Sequence, residues 1–406
     1  MSNYKQAMQI IKRLRRQGHQ ALLAGGCVRD KLLGRPASDY DVATSAVPDE
    51  VVALFRRTLK IGARFGVVMV MIDGKQVEVA TFRTEGGYQD GRRPDHVAFA
   101  SAREDAQRRD FTVNGMFYDP IEKKLYDFVG GQVDLQIGML RTIGNSDQRF
   151  SEDYLRMLRA IRFAVKLNFA IEPKTWHSMR VHADRIAHIS AERIAVELEA
   201  ILTHPNRRRG VELLIDSGLA QAIFPELSQE AGHDAIEAID ELPDAVDFGL
   251  AMATFCAGLP TETAMALCKR LKLSTARLKH IRFLLAHRGA LCEAQMPLSR
   301  LKLLMHEPYF DDLMTFQKAI LKAQGKSPRP LAAVKKRAEA IDPSVVHPEP
   351  LLDGHTLIAL GAVPGPMVGT LARELYIGQL EEHLKTPEQA KQWAVRWLEK
   401  HKTDSS

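Results

Sequence analysis

The chain has 406 residues, more than one typical domain needs, so several units are expected. Hydrophobic residues make up 45% and charged residues 26%, an ordinary globular composition that excludes the disordered, collagenous and membrane-spanning classes. Lys plus Arg exceed Asp plus Glu by 56 to 50, with a sequence pI of about 9.0, and this mild positive excess favours a polyanionic partner.

The N-terminal stretch is basic and amphipathic. Met8, Ile10, Ile11 and Leu14 alternate with Lys12, Arg13, Arg15 and Arg16, which predicts a helix over 4–17. It lacks the continuous apolar core of a signal peptide, and no apolar run reaches the ~18 residues of a membrane helix. Cys27, Cys256, Cys268 and Cys292 form no Cys-x-x-Cys pair and read as small buried apolar residues. A soluble, cytoplasmic protein is expected.

Ala21-Leu22-Leu23-Ala24 reads as a short buried strand, Gly25-Gly26 as a turn, and Val28 to Leu33 as the opening of a helix. A glycine pair at such a turn lets backbone N–H groups approach a phosphate, and the helix start adds partial positive charge. Asp39 and Asp41 follow in Ser-Asp-Tyr-Asp-Val-Ala-Thr, and positions two apart on a strand share a face. Taken singly, a GG pair is an ordinary tight turn and Asp-x-Asp an ordinary solvated turn. In this order they form a phosphate cradle beside two co-facial carboxylates, the arrangement that a Mg²⁺-bound nucleoside triphosphate needs.

Pro48 with Asp49 and Glu50 predicts a helix to Arg57, and Gly66–Ile72 and Lys75–Phe82 predict a hairpin around Asp73-Gly74. Glu78 falls within the returning apolar strand, where an acid is costly unless it is paired or binds a cation, so it is the candidate third carboxylate. Residues 85–97, with three glycines, a proline and alternating charge, are expected to form a mobile loop between two strands. Arg108-Arg109-Asp110-Phe111-Thr112-Val113-Asn114-Gly115, a strand at Leu125–Phe128 and a Gly130-Gly131 turn complete an α/β head.

From Glu152 onward the pattern is helical, first over 152–164 and then over 173–184, 190–203, 207–217, 245–257, 261–271, 275–288, 297–305 and 310–323. Proline-marked breaks then set off a last helical unit. In the first of these helices Glu152, Asp153, Arg156, Arg159 and Arg162 fall on one polar stripe. An exposed, salt-bridged helix is the bland reading. The sharper one is base reading. Cytosine and adenine each present an exocyclic amine beside a ring-nitrogen acceptor, which a carboxylate and a guanidinium three residues apart would satisfy. Guanine and uracil present the reverse order and leave a group unpaired, at a cost of roughly 1–3 kcal/mol.

The glycine turn, Asp-x-Asp and third acid resemble the polymerase-β-like nucleotidyltransferase superfamily. The order GGCVRD, DYDVAT, EVATFR, GRRPD, RRDFTVNG and EDYLRMLRAIRFA is similar to the class II (bacterial-type) CCA-adding enzymes, a family that extends to bacterial poly(A) polymerases. The resemblance implies an α+β fold: a nucleotidyltransferase head with a mixed sheet at 1–145, then an all-helical neck at 146–205, body at 206–330 and tRNA-binding tail at 331–406. It implies that Gly26, Arg29 and Arg109 contact the incoming nucleotide, and that Asp39 and Asp41 bind Mg²⁺ with Glu78 near the primer hydroxyl. Asp153, Arg156, Arg159 and Arg162 would hold base and phosphates, with Glu152 orienting Arg156. The implied partners are the acceptor stem and 3′ end of tRNA, with CTP and ATP as substrates. The loop with Tyr88, Asp90 and Arg92-Arg93 favours CCA addition. The alternatives are a poly(A) polymerase, a partial CC- or A-adding enzyme, and an RNA-binding protein with a decayed head.

Weaker signals remain. Arg207-Arg208-Arg209 is evenly balanced between RNA phosphate and solvent. His233-Asp234 lacks a second His-Asp pair in 248–259 and is not read as a phosphohydrolase site. Residues 354–369 are expected to form two helices joined at Pro364-Gly365-Pro366, whose turn could offer N–H groups to a phosphate.

Overall fold

The structure is a computed structural model that describes residues 3–59, 66–88, 94–293 and 295–402. The chain forms two units: one of residues 1–229 with 267–273, the other of 230–266 with 274–406.

The first unit opens with helix α1 (Tyr4–Arg16), whose Ile10, Ile11 and Leu14 are buried. Strand β1 (Ala21–Ala24) runs into α2 (Gly26–Leu32) through Gly25, which adopts a positive φ of 70°. Strand β2 (Asp41–Thr44), helix α3 (Pro48–Leu54) and strand β3 (Thr58–Leu59) follow. β4 (Val67–Ile72) and β5 (Lys75–Thr81) form the expected hairpin. Its turn residues Asp73 and Gly74 have φ of 49° and 74°, and positive φ at both central positions is what a two-residue hairpin turn with the right twist requires.

Residues 83–99 depart from the expected loop. β6 (Arg83–Tyr88) and β7 (Pro94–Phe99) pair antiparallel in a two-stranded ribbon of their own, with Glu85 opposite Val97 and Gly86 opposite His96. Glycine disfavours a central strand, but a ribbon whose strands are both edges tolerates it. Tyr88 ends β6, whereas Asp90, Arg92 and Arg93 lie outside the described residues.

Helix α4 (Ala102–Gln107), a 3₁₀ turn at Thr112–Asn114, β8 (Phe117–Asp119), β9 (Lys124–Tyr126) and α5 (Gly131–Ile137) finish the head. Its sheet has the order β3-β4-β5-β2-β1-β8-β9, with β2 and β5 parallel and the remaining pairs antiparallel. One face is filled by Leu22, Ala24, Ala43, Phe82, Ala102, Ala106 and Phe117.

The helix expected over 152–164 is two helices. α6 (Ser146–Glu152) ends at Asp153, which is extended with φ −156° and ψ 103°, and α7 (Leu155–Leu167) starts after Tyr154. The Asp153 carboxylate accepts the Leu155 N–H at 3.1 Å, a local bond that competes with the helical one and ends α6 there. α8 (Pro173–Val181) and α9 (Ala191–Leu202) follow. Strand is not confined to the head either: Met139–Leu140 pairs with Ala170–Ile171 in a two-residue parallel ladder.

The second unit is helical among its described residues. It includes a helix at Gln229–Asp240 that the sequence pattern did not single out. His233 and Asp234 are exposed on it. The two helices expected around Pro364-Gly365-Pro366 are present at Gly354–Ala359 and Pro366–Leu380, and Leu357, Leu371 and Leu375 pack with Trp397 in one cluster. No helix among the described residues is long and apolar enough to cross a membrane.

Candidate active site

The carboxylates are placed by register. Val42 of β2 pairs with Val79 of β5, and Ala24 of β1 pairs with Asp41. One step back along the parallel pair sets Asp41 beside Glu78, on one face of adjacent strands. Both residues reach solvent in an otherwise apolar sheet, although the atoms packed around the Asp41 carboxyl strip it of much of its water. Asp39 precedes β2 and accepts a hydrogen bond from Ser38 Oγ at 3.0 Å. The Asp41 carboxyl is pushed up to about 6, first by burial, then by Glu78 and Asp39, with Arg109 pulling it down. Neighbouring carboxylates add to burial in opposing ionisation in this way.

A recess of about 510 Å³ opens over these carboxylates. Gly26, Arg29, Asp41, Glu78, Arg109, Asp153, Arg156 and Arg159 all line it. Asp39 and Arg162 stand outside that lining.

Arg156 is held by Glu152, as expected, whereas Arg29, Arg109 and Arg159 are held by partners to which the sequence pattern gave no role. Arg29, 3% exposed, donates to Asn114 Oδ1 at 2.7 Å and to Asp30 Oδ1 at 2.8 Å. Arg109 chelates Asp105 Oδ2 through Nε (3.2 Å) and Nη2 (3.0 Å), and lies over the Phe117 ring. Arg159 donates to Asp110 Oδ2 at 2.9 and 2.6 Å. Burial opposes the charge of Asp110, but Arg159 outweighs it and holds the carboxyl below the usual range. Phe163 is the shared platform, with the guanidiniums of Arg29, Arg159 and Arg162 over its ring.

Base-reading geometry differs from the expected helical stripe. Asp153 sits in the break between helices and pairs with Arg193 of α9 (Nη2 to Oδ2, 2.6 Å). Arg156, in the first turn of α7, donates through Nη1 to Glu152 Oε2 and to the Arg149 carbonyl, the latter at 2.7 Å. Asp153 and Arg156 therefore reach the recess from a break and a helix start, each with its own anchor. Arg193 also lines the recess. It had no local signal, because its partner lies 40 residues away.

Arg162 meets Glu197 at 3.0 Å, off hydrogen-bonding geometry. Burial pushes the Glu197 carboxyl up and the Arg162 guanidinium down. Of Arg207-Arg208-Arg209, Arg207 is buried at 2% exposure, while Arg208 and Arg209 are half-buried, with Arg208 paired to Glu212 and Arg209 donating to Asn168 Oδ1 and the Phe169 carbonyl.

Two family models match the chain: the poly A polymerase head domain over residues 21–141, and the probable RNA and SrmB-binding site of polymerase A over 168–230. A CCA-adding enzyme of Geobacillus thermodenitrificans is 44% identical over 228 residues, 56% of either chain. The chain thus spans about half the length of the first curated relatives it matches. That of Streptococcus mutans is 34% identical over 378 residues, 92% of either chain. The crystal structure of the Bacillus stearothermophilus CCA-adding enzyme in complex with CTP superposes with a TM-score of 0.80 at 27% identity, covering 99% of both chains. With a mixed-sheet nucleotidyltransferase head, a helical remainder and a relative aligned along nine-tenths of its length, the chain belongs to the family of bacterial CCA-adding enzymes.

Proposed function

We propose that this protein adds C, C and A to the 3′ end of tRNA from CTP and ATP, without a nucleic-acid template and with release of pyrophosphate. The observation that carries the reading is one recess holding Asp41 and Glu78 at its floor, Arg29 and Arg109 at the glycine turn, and Asp153 and Arg156 at its helical side.

In this reading Gly25-Gly26 lets the triphosphate approach the backbone while Arg29 and Arg109 balance its charge. Arg159, with Arg162 behind it, extends the positive wall. Asp153 accepts the exocyclic amine of cytosine or adenine, and Arg156 donates to the adjacent ring nitrogen. A carboxylate has about four acceptor sites, so the Arg193 and Leu155 contacts leave Asp153 room for that amine. The primer 3′-hydroxyl enters beside Glu78 and attacks the α-phosphorus in line, and pyrophosphate leaves toward the arginines.

Asp39 and Asp41 suit Mg²⁺. Their donors are hard oxygens, and a cation relieves both the burial and, after it, the Glu78 and Asp39 charges that oppose ionisation of Asp41. Two aspartates leave positions in an octahedral Mg²⁺ shell that phosphate oxygens and water would complete. When bound there, Mg²⁺ would supply charge neutralisation at the reacting phosphate and hydroxyl. We assign 1–145 to the catalytic head, 146–205 to the neck, 206–330 to the body and 331–406 to the tRNA-binding tail.

The test is incorporation from each nucleoside triphosphate onto tRNAs ending before CCA, at C and at CC. Addition of C, C and A, then arrest, is expected. Long A tails from ATP on an arbitrary RNA would instead make the protein a poly(A) polymerase. Extension of only the ends before CCA and at C would make it a CC-adding enzyme, and extension of only the CC end an A-adding enzyme.

A further inference from the structure

Asp105 belongs to none of the roles above, yet both oxygens of its carboxylate are engaged. It is 1% exposed and leaves α4 toward the sheet. Its Oδ1 accepts the backbone N–H of Arg83 at 3.2 Å and Nε of Arg108 at 2.8 Å. Its Oδ2 accepts Nε and Nη2 of Arg109. Arg83 is the first residue of β6, at the root of the ribbon, and the ribbon forms a sheet of its own. Arg109 reaches the other way: its Nη1 donates to the Asn114 carbonyl and stands 3.3 Å from where a Cβ on Gly25 would be. One short, buried side chain therefore joins the ribbon's root to the guanidinium at the glycine turn.

Holding α4 in place does not require this carboxylate. The helix carries its own capping box, in which Ser101 accepts the Glu104 N–H and Glu104 accepts the Ser101 N–H. Nor is Asp105 an idle buried acid. Burial favours its neutral form, but Arg109 and then Arg108 outweigh that and hold it below the usual carboxylate range.

We propose that Asp105 is a positioning residue that couples the β6–β7 ribbon to the nucleotide. A displacement of the Arg83 amide turns the carboxylate, and the same turn resets Arg109 against the triphosphate. With only two side-chain torsions, the carboxylate cannot move one oxygen without the other. The inference deepens the nucleotidyltransferase reading and rests on its placement of Arg109 at the triphosphate.

The experiment is a double-mutant cycle on the full chain, read as calorimetric affinity for CTP and for ATP. The four proteins are wild type, a variant with residues 87–95 shortened to a tight turn, Asp105→Asn, and the combination. Coupling predicts that each single change weakens binding and that the combination falls at least ~3-fold short of the product of the two. Effects that simply multiply would overturn the proposal. A purely structural Asp105 would lower the melting temperature without moving this coupling. Hydrogen exchange in the wild type covers the case of a variant that fails to fold: nucleotide binding is expected to slow exchange of the Arg83 amide, and unchanged exchange would overturn the proposal. Wild type that binds nucleotide with this coupling but incorporates none would sink the proposed reaction and leave the coupling standing.

Discussion

Asp41 is the residue on which charge, stability and chemistry conflict. Its carboxyl titrates at about 6 because of burial first and then Glu78 and Asp39, so the folded protein keeps a proton that the unfolded chain has already lost. Its contribution to stability is therefore present below the unfolded value of 3.8 and is lost as pH rises through about 6. Asp41→Asn should melt higher than wild type near neutral pH, by on the order of 1 kcal/mol once solvent screening of this open side chain is allowed for. The same variant should incorporate neither C nor A. A melting temperature below wild type at neutral pH would show that the folded protein does not raise the Asp41 pKa. Asp153 gives a second prediction at this scale. Asp153→Ala removes a charged hydrogen bond worth roughly 1.5–3 kcal/mol, so CTP and ATP use should fall about tenfold to hundredfold. UTP and GTP use should fall less, and single-turnover rates with all four nucleotides decide it. Uniform slowing would reduce Asp153 to an anchor for Arg193. Asp41 and Glu78 were each legible in the sequence as acids on strands, but their pairing comes from the parallel β2–β5 register, and Asp39, expected to share a strand face with Asp41, precedes the strand. Asn114, Asp110 and Arg193 were not legible, because each meets a partner that only the fold brings near, and Asp105, though local to Arg108 and Arg109, reaches the ribbon only through the fold.

The elements divide along the same line. The β4–β5 hairpin follows from Asp73-Gly74 alone, and α3 from Pro48 and its acids. The α6–α7 break was hidden, because Glu152 to Arg162 keeps helical spacing across it and only the Asp153 side chain diverts the backbone. The ribbon was hidden by its composition, since glycine and proline read as loop wherever a strand has no sheet behind it. Gly131 shows how an ordinary turn signal reached the site. It begins α5 against the 3₁₀ turn of Thr112–Asn114, and a Cβ there would overlap the Thr112 carbonyl and crowd Met116. Gly131→Ala must displace that turn, and Asn114 holds Arg29 from it. The expected result is a loss of about 1–3 kcal/mol of stability, as for other overpacked sites, with weaker binding of CTP and ATP alike. Stability lost with nucleotide affinity intact would mean that the turn absorbs the methyl without moving Asn114.

At the scale of the whole chain, the first unit takes in residues 267–273, which follow 229 only after a long excursion. Leu267 and Leu271 are 1% and 4% exposed and line a cavity of about 290 Å³ with Ile186, Ile189, Ile194 and Ile223. Arg270 grips Glu226 with two hydrogen bonds of 2.7 and 2.8 Å, and Lys272 reaches Glu192 at 2.8 Å. The exposed ion pairs add little, so the apolar cover decides the outcome. Burying a leucine is worth about 1.5–3 kcal/mol, and a fragment ending at 229 forfeits two of them while baring the isoleucines they cover. It should melt roughly 6–24 °C below a version carrying 261–273 on a flexible linker, since two leucines amount to about 3–6 kcal/mol and 1 kcal/mol shifts a unit of this size by about 2–4 °C. It should also bind a hydrophobic dye that the linked version excludes. Asp41, Glu78, Arg109 and Asp153 are present in both fragments, so equal melting would mean that the head and neck fold without this segment, and any difference in nucleotide binding between the two would then have to arise at the recess itself.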